Sequence, residues 1–595
     1  MKKQVFFVIL AAILTFSVEA EAAPAFRGPY NVKQSDGTEL TIELFGDEHC
    51  HWAATIDGAM VVSTAKGYYV AEIDNDGCLT PTDMLAHNPE QRGSLERAVV
   101  SRQVWRRSLF FERREELVRR AALLGDSDYL QHTGSPHILT VLLEFQDVRF
   151  TINDPIAAYD QYLNGETLVD MGNKNTTNLS SVRKYFETCS GGQFVPQFDI
   201  VGPVVLPDKM AVYGEDSDKK TDINDKQFHE DIFNALKDLV KDWSVYDNNG
   251  DGGVELVCFI YAGYGQNLGA EANTLWAKAS RINYQIDDRY HVVRVNRSPE
   301  LFVPQYANMI NGTGVFIHEF SHCMGLPDLY PTKSKAYVHN QGMGSYSIMD
   351  YGLYTNSGYA PTPYNAWEQE VLGWKQMEKI ELKDGAPLTV SNVLPLLEGG
   401  KAYKLVNGDY DNEYIVMENV QARGLNAKGY GHGLLVYHVD YPFNSVNMSD
   451  SPNNNPGHPA VAVVPACGIS ICSVKRNGYT WAEWRDNNAA VTFPGTSGQT
   501  SLTDQMNLPN FCFFWMDEND QLTPISTGFM LSDIAEDAET GTVSFCVAKN
   551  EATGIANVMR KTDNDATWYD LQGRKMIGTW KPGVYIMNGR AVMIK

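Results

Sequence analysis

One short stretch, VFIHEFSHCMGLPDLY over 315–330, carries the residue types that could hold and use a metal ion. His318 and His322 stand four apart, which on a helix puts both imidazoles on one face. Glu319 directly follows the first histidine, close enough to reach a water bound to that metal. Gly325 lets the helix stop and the chain turn, because glycine takes positive φ without steric cost. Pro327 fits a chain that has left the helix, and the turn can return Asp328 as a third ligand. Two imidazoles and one carboxylate leave an open coordination position, the arrangement of catalytic zinc. Zinc lowers the pKa of its water to about 7, and Glu319 is then the general base that takes the proton and delivers it to the leaving amine. With 13 histidines in 595 residues, H-E-x-x-H arises by chance roughly once or twice per hundred such chains. Gly325 and Asp328 at their offsets lower this by about two further orders of magnitude. The competing reading is a buried amphipathic helix with two satisfied histidines.

A second signature follows at Ser347-Ile348-Met349-Asp350-Tyr351. A methionine turn beneath the metal is the second mark of metzincins, and Met349 there is a hydrophobic floor rather than a ligand. Should Asp328 fail as a ligand, Glu368 or Glu370 downstream is the substitute.

The elements that must position these residues can be read from the pattern. HILTVLLEFQD (137–147) and GVELVCFIYAG are strong apolar strands, the second running towards the ligand helix. SSVRKYFETCSGGQF (180–194) reads as a helix ending at Gly191-Gly192. Over 226–243, Phe228, Ile232, Leu236, Leu239, Val240 and Trp243 recur at helical spacing. Between them, Asp247, Asn249, Asp251 and Glu255 fit the front half of a calcium loop. Its twelfth position is Cys258 rather than a bidentate glutamate, so a plain Asp/Gly turn is the alternative.

Outside this core, 23 to about 98 alternates short apolar runs with Gly turns, a small β-rich unit. A basic helical stretch (99–123) and a polar linker, GDSDYLQHTGSP, follow. Such a unit in front of a hydrolase predicts a pro-domain removed by an activating protease, hence a zymogen; an accessory domain is the alternative. Latency there could be steric, or supplied by Cys50, Asp47 or a neighbouring histidine. From 381 onward, LTVSNV, KAYKLV, NEYIVMENV, GLLVYHVD and GTVSFCV suggest a β-sandwich-like domain. The expected order is signal peptide 1–22, pro-domain 23–134, catalytic domain 135–380, β-sandwich-like domain 381–550 and a small module 551–595, a multi-domain α+β chain.

A formal charge of −24 argues against nucleic-acid binding as the main task. Lys2 and Lys3, the apolar run Val5 to Val18 and Ala20-Glu21-Ala22 read as an export signal, and no later stretch is apolar enough to span a bilayer. This predicts a bacterial secreted or cell-surface protein. The 9 cysteines are thinly spread and contain no C-x-x-C, so neither a zinc knuckle nor a dense disulfide scaffold is indicated. Cys467 with Cys472, or Cys512 with Cys546, could pair, and Cys323 reads as a buried small residue.

HEFSHCMGLPDLY followed by SIMDYG resembles the immune inhibitor A family of secreted bacterial metallopeptidases. GDEHCHWAATIDG, SSVRKYFETCSGGQF, DNNGDGGVELV, NEYIVMENVQ and GHGLLVYHVD extend the resemblance over roughly 35–550. It implies a metzincin-like catalytic domain and endopeptidase activity, with His318, His322 and Asp328 on zinc, Glu319 as base and Met349 as the turn methionine. The generic metzincin pattern has a third histidine where Asp328 stands, whereas the immune inhibitor A family also shows aspartate. Resemblance to metzincins sharing S-I-M-x-Y implies that Tyr351 donates a hydrogen bond to the tetrahedral intermediate. The C-terminal YDLQGRKM and KPGVYIMNGRAVMIK resemble sorting domains of type IX secretion substrates, implying a secretion-machinery partner. The expectation is a zinc endopeptidase acting on proteins or peptides; the alternatives are a zinc hydrolase of non-peptide amides and a surface adhesion protein with a vestigial site.

Overall fold

The computed structural model describes 30–46, 51–64, 66–75, 79–103, 106, 129–166, 169–170, 177–215, 222–268, 270, 273–302, 308–331, 340–408, 410–442, 446–448, 450, 452–470, 481–516, 522–550, 568–569, 583–587 and 590–594. The export-signal reading, Asp47, Cys50, Cys78, Cys472, most of the basic stretch and much of the C-terminal module lie outside the described residues. No helix among the described residues is long and apolar enough to cross a membrane. The chain divides into two compact units, 1–121 and 122–595.

The first unit is an antiparallel six-stranded meander from Tyr30–Lys33 to Leu79–Leu85. Its alternating side chains put Leu40, Ile42, Val61 and Val70 into a small core. Gln103, on the helix that follows, is buried and bonds the backbone of Met60 and Ala71, fixing that helix to the sheet.

The second unit is built on a five-stranded sheet. Its order is Gln197–Val205, His137–Glu144, Gly253–Tyr264, His291–Leu301, Lys278–Gln285. The first four are parallel and the last runs antiparallel at one edge. The central strand Gly253–Tyr264 is apolar on both faces because both are covered. Leu256, Cys258 and Ile260 point to the side that holds the helix Thr313–Cys323. Val257, Phe259 and Tyr261 point to the other, against Phe228, Ile232, Phe233 and Leu236 of the helix Asp225–Leu239. That helix stops at Leu239 rather than 243; Val240 turns extended and Trp243 enters the same core from a separate turn.

Beyond 381, a second five-stranded sheet contains Tyr403–Asn407, Tyr410–Val420 and Gly433–Asp440, and a three-stranded sheet contains Leu388–Val393, Phe529–Glu536 and Val543–Lys549. Ile415, Met417, Leu434 and Val436 share a core with Val390, Leu531 and Phe545, so these two sheets face one another. The alternate residues Tyr414, Val416, Leu435 and Tyr437 join the core that holds the helix Thr313–Cys323. This sheet is therefore buried on both faces. Tyr129 to Gly134, read from sequence as linker, are bonded into the larger unit: Leu130 N–H donates to Cys323 O, and Gly134 pairs with Phe194. The polar composition around them hid this, since their anchors are backbone groups, the buried Leu130 side chain and the buried His132 imidazole, which donates to Met324 O. Cys512 and Cys546 are free thiols, not a pair. Each sits between two core residues, Phe511 and Phe513 or Phe545 and Val547, so each thiol is turned away from the core they share.

Candidate metal centre

The helix Thr313–Cys323 is buried along its whole length. Its start needs glycine: a Cβ on Gly312 would lie 2.3 Å from Gly358 C, and one on Gly314 would lie 2.0 Å from Leu353 O. These two positions let the first turn press against the segment that follows the methionine turn. The helix ends after Cys323; Gly325 has φ +99° and its N–H donates to His322 O. The chain then doubles back and delivers Asp328.

Asp328 Oδ1 lies 3.3 Å from His318 Nε2 and 3.3 Å from His322 Nε2. The imidazole rings stand 4.7 Å apart at 79°. Each ring is fixed through its other nitrogen. His318 Nδ1 donates to Ile348 O at 2.9 Å, and His322 Nδ1 donates to Leu326 O at 2.7 Å. With Nδ1 carrying the proton, Nε2 is left as the ligand atom on both rings, the usual way an outer hydrogen bond selects the tautomer of a metal-binding histidine. Asp328 Oδ1 is buried and no hydrogen bond reaches it. An orphaned carboxylate oxygen facing two imidazole lone pairs is the donor set of a divalent cation that accepts nitrogen and oxygen, and zinc fits it. Among the described residues, these three are the group of His, Cys, Asp and Glu whose ligand atoms gather within 4.8 Å.

Burial opposes charge on both acids here, with opposite outcomes. Burial pushes the Glu319 carboxyl up, against the pull of His318 and His322. Burial would also raise Asp328, but His322 and His318 beside it hold its carboxyl well below the usual range. Asp328 outweighs burial at His322 and draws its pKa up to about 9, so a cation bound there would displace a proton from Nε2. Glu319 accepts a hydrogen bond from the backbone of Ala279, on the antiparallel edge strand. Burial thus makes the Glu319 carboxylate a better proton acceptor than an exposed one, the direction a general base requires.

The methionine turn lies below. Met349 is fully buried, and its carbonyl accepts the N–H of Leu329, the residue after Asp328. Tyr351 packs against Tyr354 at 5.5 Å and Trp484 at 4.9 Å. Burial and Asp350 push the Tyr351 phenol up. Two further tyrosines that the sequence reading passed over feel the Glu319 carboxylate. Tyr354 is raised by burial and then by Glu319; Tyr330 is raised by burial and by Asp328, and its ring stacks 6.5 Å from that of His318. Tyr330 follows Asp328 by two residues and Tyr354 follows Tyr351 by three, so adjacency to the motifs was the signal available. Glu368 and Glu370, weighed as substitute ligands, are engaged elsewhere. Glu370 pairs with Lys404 at 3.2 Å and accepts Met377 N–H. Glu368 accepts from Ser347 and from the backbone of Asn365.

At the other proposed ion site, Asp247 accepts the backbone N–H groups of Gly250, Asp251 and Gly252, and Asp251 accepts that of Gly253. Glu255 accepts those of Asn248 and Asn249 and is buried. Asn249 donates its side-chain amide to Asp251. The acids thus tie the loop's own backbone.

Residues 129–378 match the family described as immune inhibitor A peptidase M6, catalytic domain. Two curated relatives are similar over part of the chain. The pre-pro-metalloprotease PrtV of Vibrio cholerae is 26% identical over 277 residues, covering 40% of this chain and 29% of that protein. Immune inhibitor A of Bacillus thuringiensis is 22% identical over 275 residues, covering 39% of each. The chain thus spans well under half the length of the curated relatives it matches.

Proposed function

We propose, on the peptidase M6 catalytic domain that residues 129–378 carry, that the protein is an exported zinc endopeptidase acting on proteins or peptides. The observation that carries this reading is the Asp328 oxygen, buried and unbonded, at 3.3 Å from two imidazole nitrogens whose tautomers are already set. His318, His322 and Asp328 would hold the metal. Zinc there would supply Lewis acidity, polarising a carbonyl oxygen and acidifying a water. Glu319, raised by burial, takes the water's proton and returns it to the departing amine. Tyr351 serves as hydrogen-bond donor to the oxyanion, with Tyr354 beside it on the same wall. The parallel sheet with one antiparallel edge strand, the ligand helix and the methionine turn support a metzincin-like reading. Synthesis as a zymogen, with the unit before residue 121 as a removable region, draws on that unit's separateness and on the relative named as a pre-pro-metalloprotease. Export by the N-terminal signal and sorting by the C-terminal module rest on their residues alone. Calcium at Asp247, Asn249, Asp251 and Glu255 belongs to the same reading; added calcium should raise the melting temperature, and no shift would remove it.

Incubation with casein, before and after proteolytic removal of the first unit, tests the function. Cleavage abolished by a zinc chelator and restored by zinc is expected. Chelator-insensitive cleavage, or none after processing, would favour the adhesion reading or another hydrolase.

A further inference from the structure

We propose that Ser347 and Glu368 are positioning residues of the metal centre, setting two of its three ligands through a single turn. This inference rests on the zinc reading above and concerns how the ligands are held. The Ser347 hydroxyl donates to Glu368 Oε1 at 2.5 Å and accepts the N–H of Met349 at 2.9 Å. That fixes the peptide between Ile348 and Met349. From this one peptide and its neighbour, two carbonyls diverge to the two arms of the site. Ile348 O accepts from His318 Nδ1 at 2.9 Å, and Met349 O accepts from Leu329 N at 2.8 Å, one residue past Asp328. A rotation of the turn would therefore move a histidine and the carboxylate together.

Glu368 is well placed to be the fixed end. It is fully buried at the third position of the short helix Ala366–Val371 and forms a capping box with Asn365. Its Oε2 accepts Asn365 N–H at 2.8 Å, and Asn365 Oδ1 accepts Glu368 N–H at 3.0 Å. Both carboxylate oxygens are thus occupied, one by the helix that bears it and one by the turn it steadies. Ser347 is equally buried, and its carbonyl accepts Gly352 N–H at 2.9 Å, closing the turn from the other side. The close approach leaves no room for a side chain there: a Cβ on Gly352 would lie 2.2 Å from Ser347 O.

The test is zinc affinity, measured by chelator competition on the full chain below its melting temperature, for wild type, Ser347→Ala and Glu368→Gln. Outer partners of metal ligands typically contribute about 10–100-fold to affinity. Ser347→Ala should weaken zinc by that factor. Glu368→Gln, whose amide can accept Asn365 N–H while turning a donor towards Ser347 Oγ, should weaken zinc by a smaller factor, still above about twofold. A merely structural role would lower the melting temperature of the metal-free protein and leave zinc affinity within about twofold of wild type; that result overturns the proposal. If the alanine variant does not fold, Ser347→Cys decides, because it keeps the side chain's shape while its thiol is only a weak donor and acceptor. Wild type that binds no zinc would instead remove the reading on which the inference stands.

Discussion

At the residue scale, the site separates tasks by the environment of each acid. Asp328 stays ionised because two imidazoles face it; Glu319, one residue from His318, is raised because burial outweighs the same imidazoles. The first can hold a cation and the second can accept a proton. Asp328→Ala should therefore cost metal binding itself, seen as loss of stoichiometric zinc. Tyr351→Phe should lower kcat by about 10²-fold with KM unchanged, the usual cost of one oxyanion donor. An unchanged kcat there, with the loss appearing in Tyr354→Phe, would move the role along the wall. His318, Glu319, His322 and Asp328 were legible because their chemistry depends on local spacing. Glu368 carried a local signal only as a helix cap, and its bond to Ser347 spans 21 residues that no local pattern connects.

At the element scale, the ligand helix is held by what touches its two ends. Its first turn admits no side chain at 314, and its exit turn lies beneath Tyr129, whose ring stands 3.6 Å from where a Cβ on Gly325 would be. Gly314→Ala forces a Cβ against the Leu353 carbonyl and should destabilise by about 3 kcal/mol, the upper end for overpacking. Thermal unfolding checks this; a melting temperature equal to wild type would show that the 351–358 segment yields freely. The sequence announced Gly325 by its place after an amphipathic motif. It did not announce Gly312 and Gly314, since their need comes from a segment about 40 residues away.

At the scale of the whole molecule, the second unit is knit by a sheet with two buried faces, and that burial encloses ionisable groups. Burial pushes Glu368 up to about 8 and Glu418, on the strand Tyr410–Val420, up to about 7. A carboxyl whose folded pKa is raised binds more protons folded than unfolded, so stability is lost as pH rises from the ordinary range near 4.5 to the folded value. Glu418→Gln cannot ionise and should raise the melting temperature at pH 8 by a few degrees while changing little at pH 5. Equal effects at both pH values would contradict this assignment. The strands beyond 381 were visible as alternating runs, but their second buried face was not. Tyr414, Val416, Leu435 and Tyr437 look like ordinary strand residues until the core around the helix Thr313–Cys323 is placed against them.

On the proposed reading, His318, His322 and Asp328 hold zinc while Glu319 moves the proton. Zinc content and casein cleavage measured together on processed wild type and Glu319→Ala test it most directly. One zinc per chain in both, with cleavage reduced by about 10²–10⁴-fold in the variant, is the predicted result. Cleavage retained in Glu319→Ala, or zinc lacking in wild type, would contradict it.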